Sequence, residues 1–186
     1  MIKDMRLETQ RLIIRPYIED DFIESFKLMQ DKELFKYKEM GVMTLDEYKG
    51  LFEWLLESYN VDFDGNFAYS FNIILKETGR CIGWVGLGKL VTDIAKTEIF
   101  YLTGIKYQNQ GYATEASKAI LEYGFRTIGL NEIVGVCMKE NIASKRVMEK
   151  IGLKFRYIQE GLPKEFERCN GDPFYSLTKD EYLLTL

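Results

Sequence analysis

The sequence predicts a single α/β (α+β) domain, with a mixed, mostly antiparallel sheet of seven strands flanked by about four helices. Three observations carry this. The 186 residues read, by switches between two-residue and helical periodicity, as β-α-α-β-β-β-α-β-α-β-β, with no repeat, low-complexity tract or linker. The stretch Glu77-Thr78-Gly79-Arg80, lying between two β-rich runs, is a hairpin turn and makes those strands antiparallel. A helix connects the fourth and fifth strands, which makes that pair parallel. A chain of this length buries a core without covalent staples.

Taken in order, residues 6–17 form a strand ended by Pro16, which cannot donate to a ladder. Asp20 or Asp21 is expected to cap a helix carrying Phe22, Phe26 and Met29 at helical spacing. Thr44 opens a second helix with Glu47 in capping-box position, and Tyr48, Leu51, Phe52, Leu55, Leu56 and Tyr59 follow its period. The cluster of residues 62–66 is a turn. Strands over 67–76 and 81–90 follow. The glycines Gly83, Gly86 and Gly88 in the second of them ease a bend or bulge. They do not form a dinucleotide fingerprint, because their spacing is reversed and no helix opens behind them. The fourth strand covers 97–103, and the helix behind it puts Ala113, Ala116, Ile120 and Tyr123 or Gly124 on one face. A fifth strand runs over 131–138, and Asn141 caps a short helix to Lys150 that ends at a left-handed Gly152. A sixth strand over 153–159, a loop over 160–171 and a closing strand over 174–178 complete the order.

Composition narrows the chemistry. The chain is 46% hydrophobic and 29% charged, ordinary for a soluble globular protein, with a net charge of −4 that disfavours general nucleic-acid binding. No apolar run nears the roughly 20 residues that span a bilayer, and the first residues lack a signal-peptide core. Cys81, Cys137 and Cys169 are odd in number and widely spaced, which suits a reducing cytoplasm rather than a disulfide framework. There is no histidine. That removes Ser-His-Asp and Cys-His machinery and histidine-ligated metal sites, so a base must be a carboxylate, amine, tyrosine, cysteine or water. No metal is expected.

The stretch from Tyr107 to Ala116 (Tyr-Gln-Asn-Gln-Gly-Tyr-Ala-Thr-Glu-Ala) lies between the fourth strand and its helix. A strand, a tight turn and a helix start make an anion site from backbone: first-turn N–H groups lack intrahelical partners, and the helix dipole adds positive charge. N–H groups from about Gln110 to Thr114, Tyr112 included, can meet phosphates, and small residues at Gly111 and Ala113 let a ligand approach. No P-loop pattern is present.

The element order resembles that of the GNAT superfamily of acyl-CoA-dependent N-acetyltransferases. Gln108-Asn109-Gln110-Gly111-Tyr112-Ala113 matches that superfamily's Q/R-x-x-G-x-G/A loop. The continuation to Ala116, the opening Glu8-Thr9-Gln10-Arg11-Leu12-Ile13-Ile14-Arg15-Pro16, the Asn141-x-x-Ser144 pair and Met148-Glu149-Lys150-x-Gly152 are similar to the branch that acetylates ribosomal-protein N-termini. The resemblance implies a GNAT fold with the fourth and fifth strands splayed apart, and acetyl-CoA as co-substrate. It places the pantetheine arm against Leu102, Thr103 and Ile105, with Asn141 reaching the same arm; a helix cap is the compatible plain role for Asn141. Gln108 and Gln110 stand where relatives often carry a cation, so phosphate binding is expected to lean on backbone amides, helped by Lys145 or Arg146.

The implied reaction is direct attack of a primary amine on the thioester, with the carbonyl polarised by a backbone N–H near Thr103. Glu98 is the candidate base, acting through water, or else an exposed strand residue or ion-pair partner. The resemblance puts a tyrosine acid at a position that is Met148 here, and methionine cannot donate. Ser144 either bonds near the sulfur or caps its helix, and solvent can also protonate a thiolate. Cys137 reads as a buried structural thiol rather than a nucleophile. Trp54 and its helical neighbours line the acceptor groove or fill the core. The implied acceptor is a protein N-terminus or a small primary amine, with a weak lean toward cationic ones, and the protein is a monomer or homodimer. The competing reading is a non-catalytic acyl-CoA-binding module.

Overall fold

The protein is described by a computed structural model covering residues 2–37, 41–63, 65 and 67–185. Its strands are Leu7–Glu8 (β1), Leu12–Pro16 (β2), Ala68–Leu75 (β3), Arg80–Leu90 (β4), Asp93–Thr103 (β5), Glu132–Val136 (β6), Lys154–Ile158 (β7) and Pro173–Thr178 (β8). The α-helices are Phe22–Leu28 (α1), Leu45–Ser58 (α2), Tyr112–Tyr123 (α3), Ile142–Lys150 (α4) and Lys179–Leu183 (α5). The strands form one sheet in the order β1-β2-β3-β4-β5-β6-β8-β7. Every neighbouring pair is antiparallel except β5–β6.

The expected seven strands become eight because the first one breaks. Thr9 N–H donates to the Leu12 carbonyl and the Thr9 hydroxyl accepts from Leu12 N–H, so β1 folds back on β2 with Leu7 opposite Ile14. A hydroxyl that satisfies backbone locally competes with the ladder. The capping box of α2 forms as expected, with Thr44 and Glu47 exchanging hydrogen bonds. The expected aspartate cap of α1 does not form. Asp21 instead accepts from Ile18 N–H and pairs with both terminal nitrogens of Arg15, holding the 3-10 turn Glu19–Asp21 that precedes the helix. The turn near residue 62 is present, Gly65 N–H donating to the Asp62 carbonyl, whereas Asp64 and Asn66 lie outside the described residues.

Successive residues Val85, Gly86, Leu87 and Gly88 of β4 are all buried, and alternate side chains of a strand point to opposite faces. Both faces of the strand are therefore covered, and over Gly86 and Gly88 the cover is the Phe100 ring of β5. The strand glycines serve that packing. Ile82 is an extra residue between the pairs Ile74–Cys81 and Ile73–Gly83, a bulge of the expected kind. At Gly86 an added Cβ would fall 2.1 Å from the Tyr69 carbonyl oxygen and 2.5 Å from the Phe100 ring. In α2 and at its C-cap, Tyr48, Phe52, Leu55 and Tyr59 face inward while Trp54 is half exposed, so Trp54 does not fill the core. Among the described residues no helix is long and apolar enough to cross a membrane.

The feature that positions the site is at the middle of the sheet. β5 and β6 share a single bridged pair, Glu98 with Val134. Beyond it β5 keeps β4 as its partner through Leu102 opposite Trp84 and Thr103 opposite Gly83, while β6 follows β8 to Val136 opposite Phe174. A cleft opens between them.

Candidate active site

The loop leading from β5 to α3 contains a 3-10 turn, Ile105–Tyr107. Two left-handed residues follow it, Asn109 (φ 58°) and Gly111 (φ 83°). Gly111 is the N-cap of α3 and no side chain caps the helix there, so its first-turn N–H groups face outward without an internal partner. A left-handed residue next to a helix start turns consecutive amides toward one point. The side chains of Gln108 and Gln110 turn back on the loop: Gln108 Nε2 donates to the Thr103 carbonyl at 3.3 Å and Gln110 Nε2 to the Lys106 carbonyl at 2.7 Å. Their amides act as staples here. Tyr112 is buried, and Ala113 and Thr114 are half-buried on the first turn.

A clasp that sequence spacing does not reveal fixes this loop from behind. Glu115 Oε1 accepts from Thr9 Oγ1 at 2.6 Å and from Arg11 N–H at 2.8 Å, and its Oε2 accepts from Arg11 Nε at 2.7 Å. Arg11 also donates to the Gln110 carbonyl at 2.9 Å and lies 4.3 Å from the centre of the Tyr112 ring. Burial raises the Glu115 carboxyl, but the hydrogen bonds from Thr9 and Arg11 outweigh it and hold the group below the usual carboxylate range.

The cleft edge of β5 follows from strand geometry. Gly104 N–H goes to the Ile82 carbonyl on the β4 side, and a strand's amides alternate in direction. The N–H groups of Thr103 and Tyr101 therefore face the edge that β6 has left. Leu102 and Thr103 are buried, whereas Ile105 is exposed at the cleft's end.

Across the cleft stands α4. Asn141 caps it, its Oδ1 accepting Ser144 N–H at 3.0 Å, which leaves the Asn141 amide nitrogen as a donor. The Tyr101 hydroxyl, not anticipated from the sequence, crosses from β5 to lie 3.0 Å from both the Ser144 carbonyl oxygen and Ser144 Oγ. Burial pushes the Tyr101 phenol well up, with the Ser144 contact acting against it. Burial likewise raises the Cys137 thiol to about 11, eased by the Ser144 hydroxyl, so Cys137 stays protonated at neutral pH and is a poor nucleophile. Glu98 is half-buried on β5, and its charge is felt at both Tyr101 and Cys137. Met148 is buried against Gly135 of β6, where a Cβ would come within 2.7 Å of its sulfur. Direct contacts thus join Tyr101, Cys137, Asn141 and Ser144 at the cleft, Glu98 stands on β5 where the cleft begins, and residues 108–114 follow the other end of that strand. A tyrosine in an apolar strand was the available signal for Tyr101, since a buried phenol needs a partner.

The pattern of the family described as "Acetyltransferase (GNAT) domain" matches residues 11–154, which takes in the loop, the cleft strands and α4. The chain belongs to the GNAT acetyltransferase family. It is 32% identical over 179 residues to the uncharacterized N-acetyltransferase YnaD of Bacillus subtilis, covering 96% of this chain and 99% of that one. It is 28% identical over 190 residues to the FsC-acetyl coenzyme A-N(2)-transacetylase of Aspergillus fumigatus, covering 95% of this chain and 77% of that one. The crystal structure of a GNAT-family acetyltransferase from Bacillus anthracis superposes with a TM-score of 0.75 at 26% identity, covering 95% of this chain and all of the other. This GNAT chain is an acyltransferase that uses acetyl-CoA as donor. The uncapped α3 amides suit that donor's pyrophosphate, and the strand edge exposed by the cleft suits an amide-bearing arm. Among the described residues, no group of three or more ligating side chains is placed to hold a metal.

Proposed function

We propose that this GNAT acetyltransferase acetylates a primary amine, either a protein N-terminus or a small amine, within a ternary complex. The observation that carries the reading is the cleft between β5 and β6, which runs from a turn of uncapped helix amides to a cluster of proton-bearing side chains. In this reading the amides from Gln110 to Thr114, with Gly111 and Ala113 keeping the approach open, hold the pyrophosphate. Leu102, Thr103 and Ile105 flank the pantetheine arm, and the Asn141 amide nitrogen donates to it. Lys145 and Arg146 add positive charge from α4.

The donor supplies an activated acyl group. The residues supply the rest. Thr103 N–H, facing the cleft edge, polarises the carbonyl. Glu98 removes a proton from the incoming amine through water. Ser144 faces the departing sulfur. The net charge of −4 favours a cationic acceptor through long-range attraction.

Thiol release from acetyl-CoA, measured against a panel of peptide N-termini and small primary amines, tests the proposal. Release that depends on amine supports it. Coenzyme A binding without acetylation of any amine would instead support a non-catalytic acyl-CoA-binding module.

A further inference from the structure

We infer that Tyr101 is a positioning residue for the leaving sulfur: its hydroxyl orients that of Ser144 so that the serine proton is presented to the thiolate. The inference rests on the proposed acetyl-transfer reading and adds to it a residue from the opposite wall of the cleft.

The geometry is specific. Tyr101 Oη lies 3.0 Å from two acceptors on one residue, the Ser144 carbonyl oxygen and Ser144 Oγ. A phenol has one proton, so only one of those contacts can receive it at a time. In one arrangement Tyr101 donates to the carbonyl and the Ser144 hydroxyl can donate back to Tyr101. In the other, Tyr101 donates to Ser144 Oγ, and the serine proton is free to point elsewhere. The second arrangement becomes favoured when an anion appears beside Ser144, because a charge-assisted hydrogen bond outweighs a neutral one. The serine N–H and the start of α4 are already tied to Asn141 Oδ1, so only the hydroxyl rotates. The Cys137 thiol stands beside the same turn, its Sγ 3.9 Å from the Asn141 carbonyl oxygen, so a sulfur atom already packs against the start of α4. Met148, packed into the core, offers no proton.

The chemistry balances without an added reagent. The amine nitrogen forms a bond to the acyl carbon, the carbon–sulfur bond breaks with its electron pair on sulfur, and the proton lost by nitrogen ends on the thiol through solvent. Tyr101 and Ser144 each keep their own proton. They stabilise the thiolate during the interval and are not consumed. The charged and titratable groups around them are Glu98 on β5, Cys137 after β6, Lys145 on α4 and Asp172 before β8. Glu98 and Asp172 disfavour a nearby anion and Lys145 favours it, which is why a directed hydroxyl matters here.

The test is the ionisation of the coenzyme A thiol bound to the intact protein, followed by ultraviolet thiolate absorbance against pH, alongside steady-state kinetics. Tyr101→Phe keeps the ring and removes only the hydroxyl. It is expected to raise the pH at which the bound thiol ionises by about one and to lower kcat about tenfold with KM nearly unchanged. Ser144→Ala is expected to do the same and Ser144→Thr, which retains a hydroxyl, to recover most of the loss. Thermal unfolding of each variant separates a folding defect from a local one. Bound thiol that ionises as in the parent protein in both Tyr101→Phe and Ser144→Ala, with kcat preserved, overturns this role alone. A parent protein that binds no coenzyme A overturns the proposed function and this role together.

Discussion

Glu98 occupies the last position at which β5 and β6 are still joined, so its carboxylate sits at the root of the cleft and not along its open length. A base placed there is fixed in height by the parallel Glu98–Val134 bridge. We expect Glu98→Gln to lower the rate about a hundredfold at neutral pH and below, where the amine is mostly protonated, and much less at alkaline pH, where free amine is already present. A rate-against-pH profile parallel to that of the parent protein would remove Glu98 from the mechanism. At this scale the sequence was partly legible. Asn141 could be read as a cap and Met148 as unable to donate, because both follow from side-chain type and local spacing. Tyr101 could not be paired with Ser144, because 43 residues separate them and only the folded cleft brings them together.

At the scale of elements, the β5–α3 loop is two devices in one: a conformation that needs glycine and a clasp that holds it. Gly111 at φ 83° lies where β-branched side chains pay roughly 1–3 kcal/mol in strain. Gly111→Val is expected to abolish coenzyme A binding in a calorimetric titration while the fold persists. Undiminished affinity would show that the amides of α3 do not hold the phosphates. Arg11→Ala removes the side-chain part of the clasp, its bonds to Glu115 and to the Gln110 carbonyl, and leaves the loop's own residues unchanged, so it is expected to weaken coenzyme A about tenfold. The same clasp has a pH signature. Glu115 has a folded-state pKa below its unfolded value, so its contribution is fully present above the usual carboxylate range and is lost as pH falls through the folded value. Coenzyme A affinity should therefore decline in acid more steeply for the parent than for Glu115→Gln, and equal slopes would refute the coupling. The hairpin turn at Gly79, the Thr44–Glu47 capping box and the left-handed Gly152 were readable from sequence because each is made by residues within a few positions. The clasp was not, since its partners lie 104 and 106 positions apart. The break of the first strand into β1 and β2 was missed for a related reason. The Thr9 hydroxyl that turns the chain is held by Glu115, so a local turn depends on a distant carboxylate.

Across the whole molecule, the cleft divides the sheet into β1 to β5 and β6 to β8. Contacts that join the halves include the Glu98–Val134 bridge, the Lys96–Glu132 ion pair at 3.0 Å, the Thr92–Gln159 hydrogen bond and the Tyr101–Ser144 contact. The ion pair is about one-third exposed on each side, so its worth is small. The halves also have different boundaries with solvent: β7, at the sheet's end, is exposed along all five of its residues, whereas β3 and β4 are nearly closed. A ligand lying in the cleft touches both halves and substitutes for the strand pairing they lack. Coenzyme A should then stabilise the entire domain and not only its loop. At a concentration one hundred times its dissociation constant, binding to the folded state adds about 2.7 kcal/mol. For a chain of this size that corresponds to a rise of roughly 5–10 °C in the unfolding midpoint. The rise should appear as one transition, because both halves are held by the same ligand. Gly111→Val should show no rise at the same concentration. Two separated transitions, with only one of them moved by coenzyme A, would mean that the ligand sits on one half and that the cleft is not its binding site.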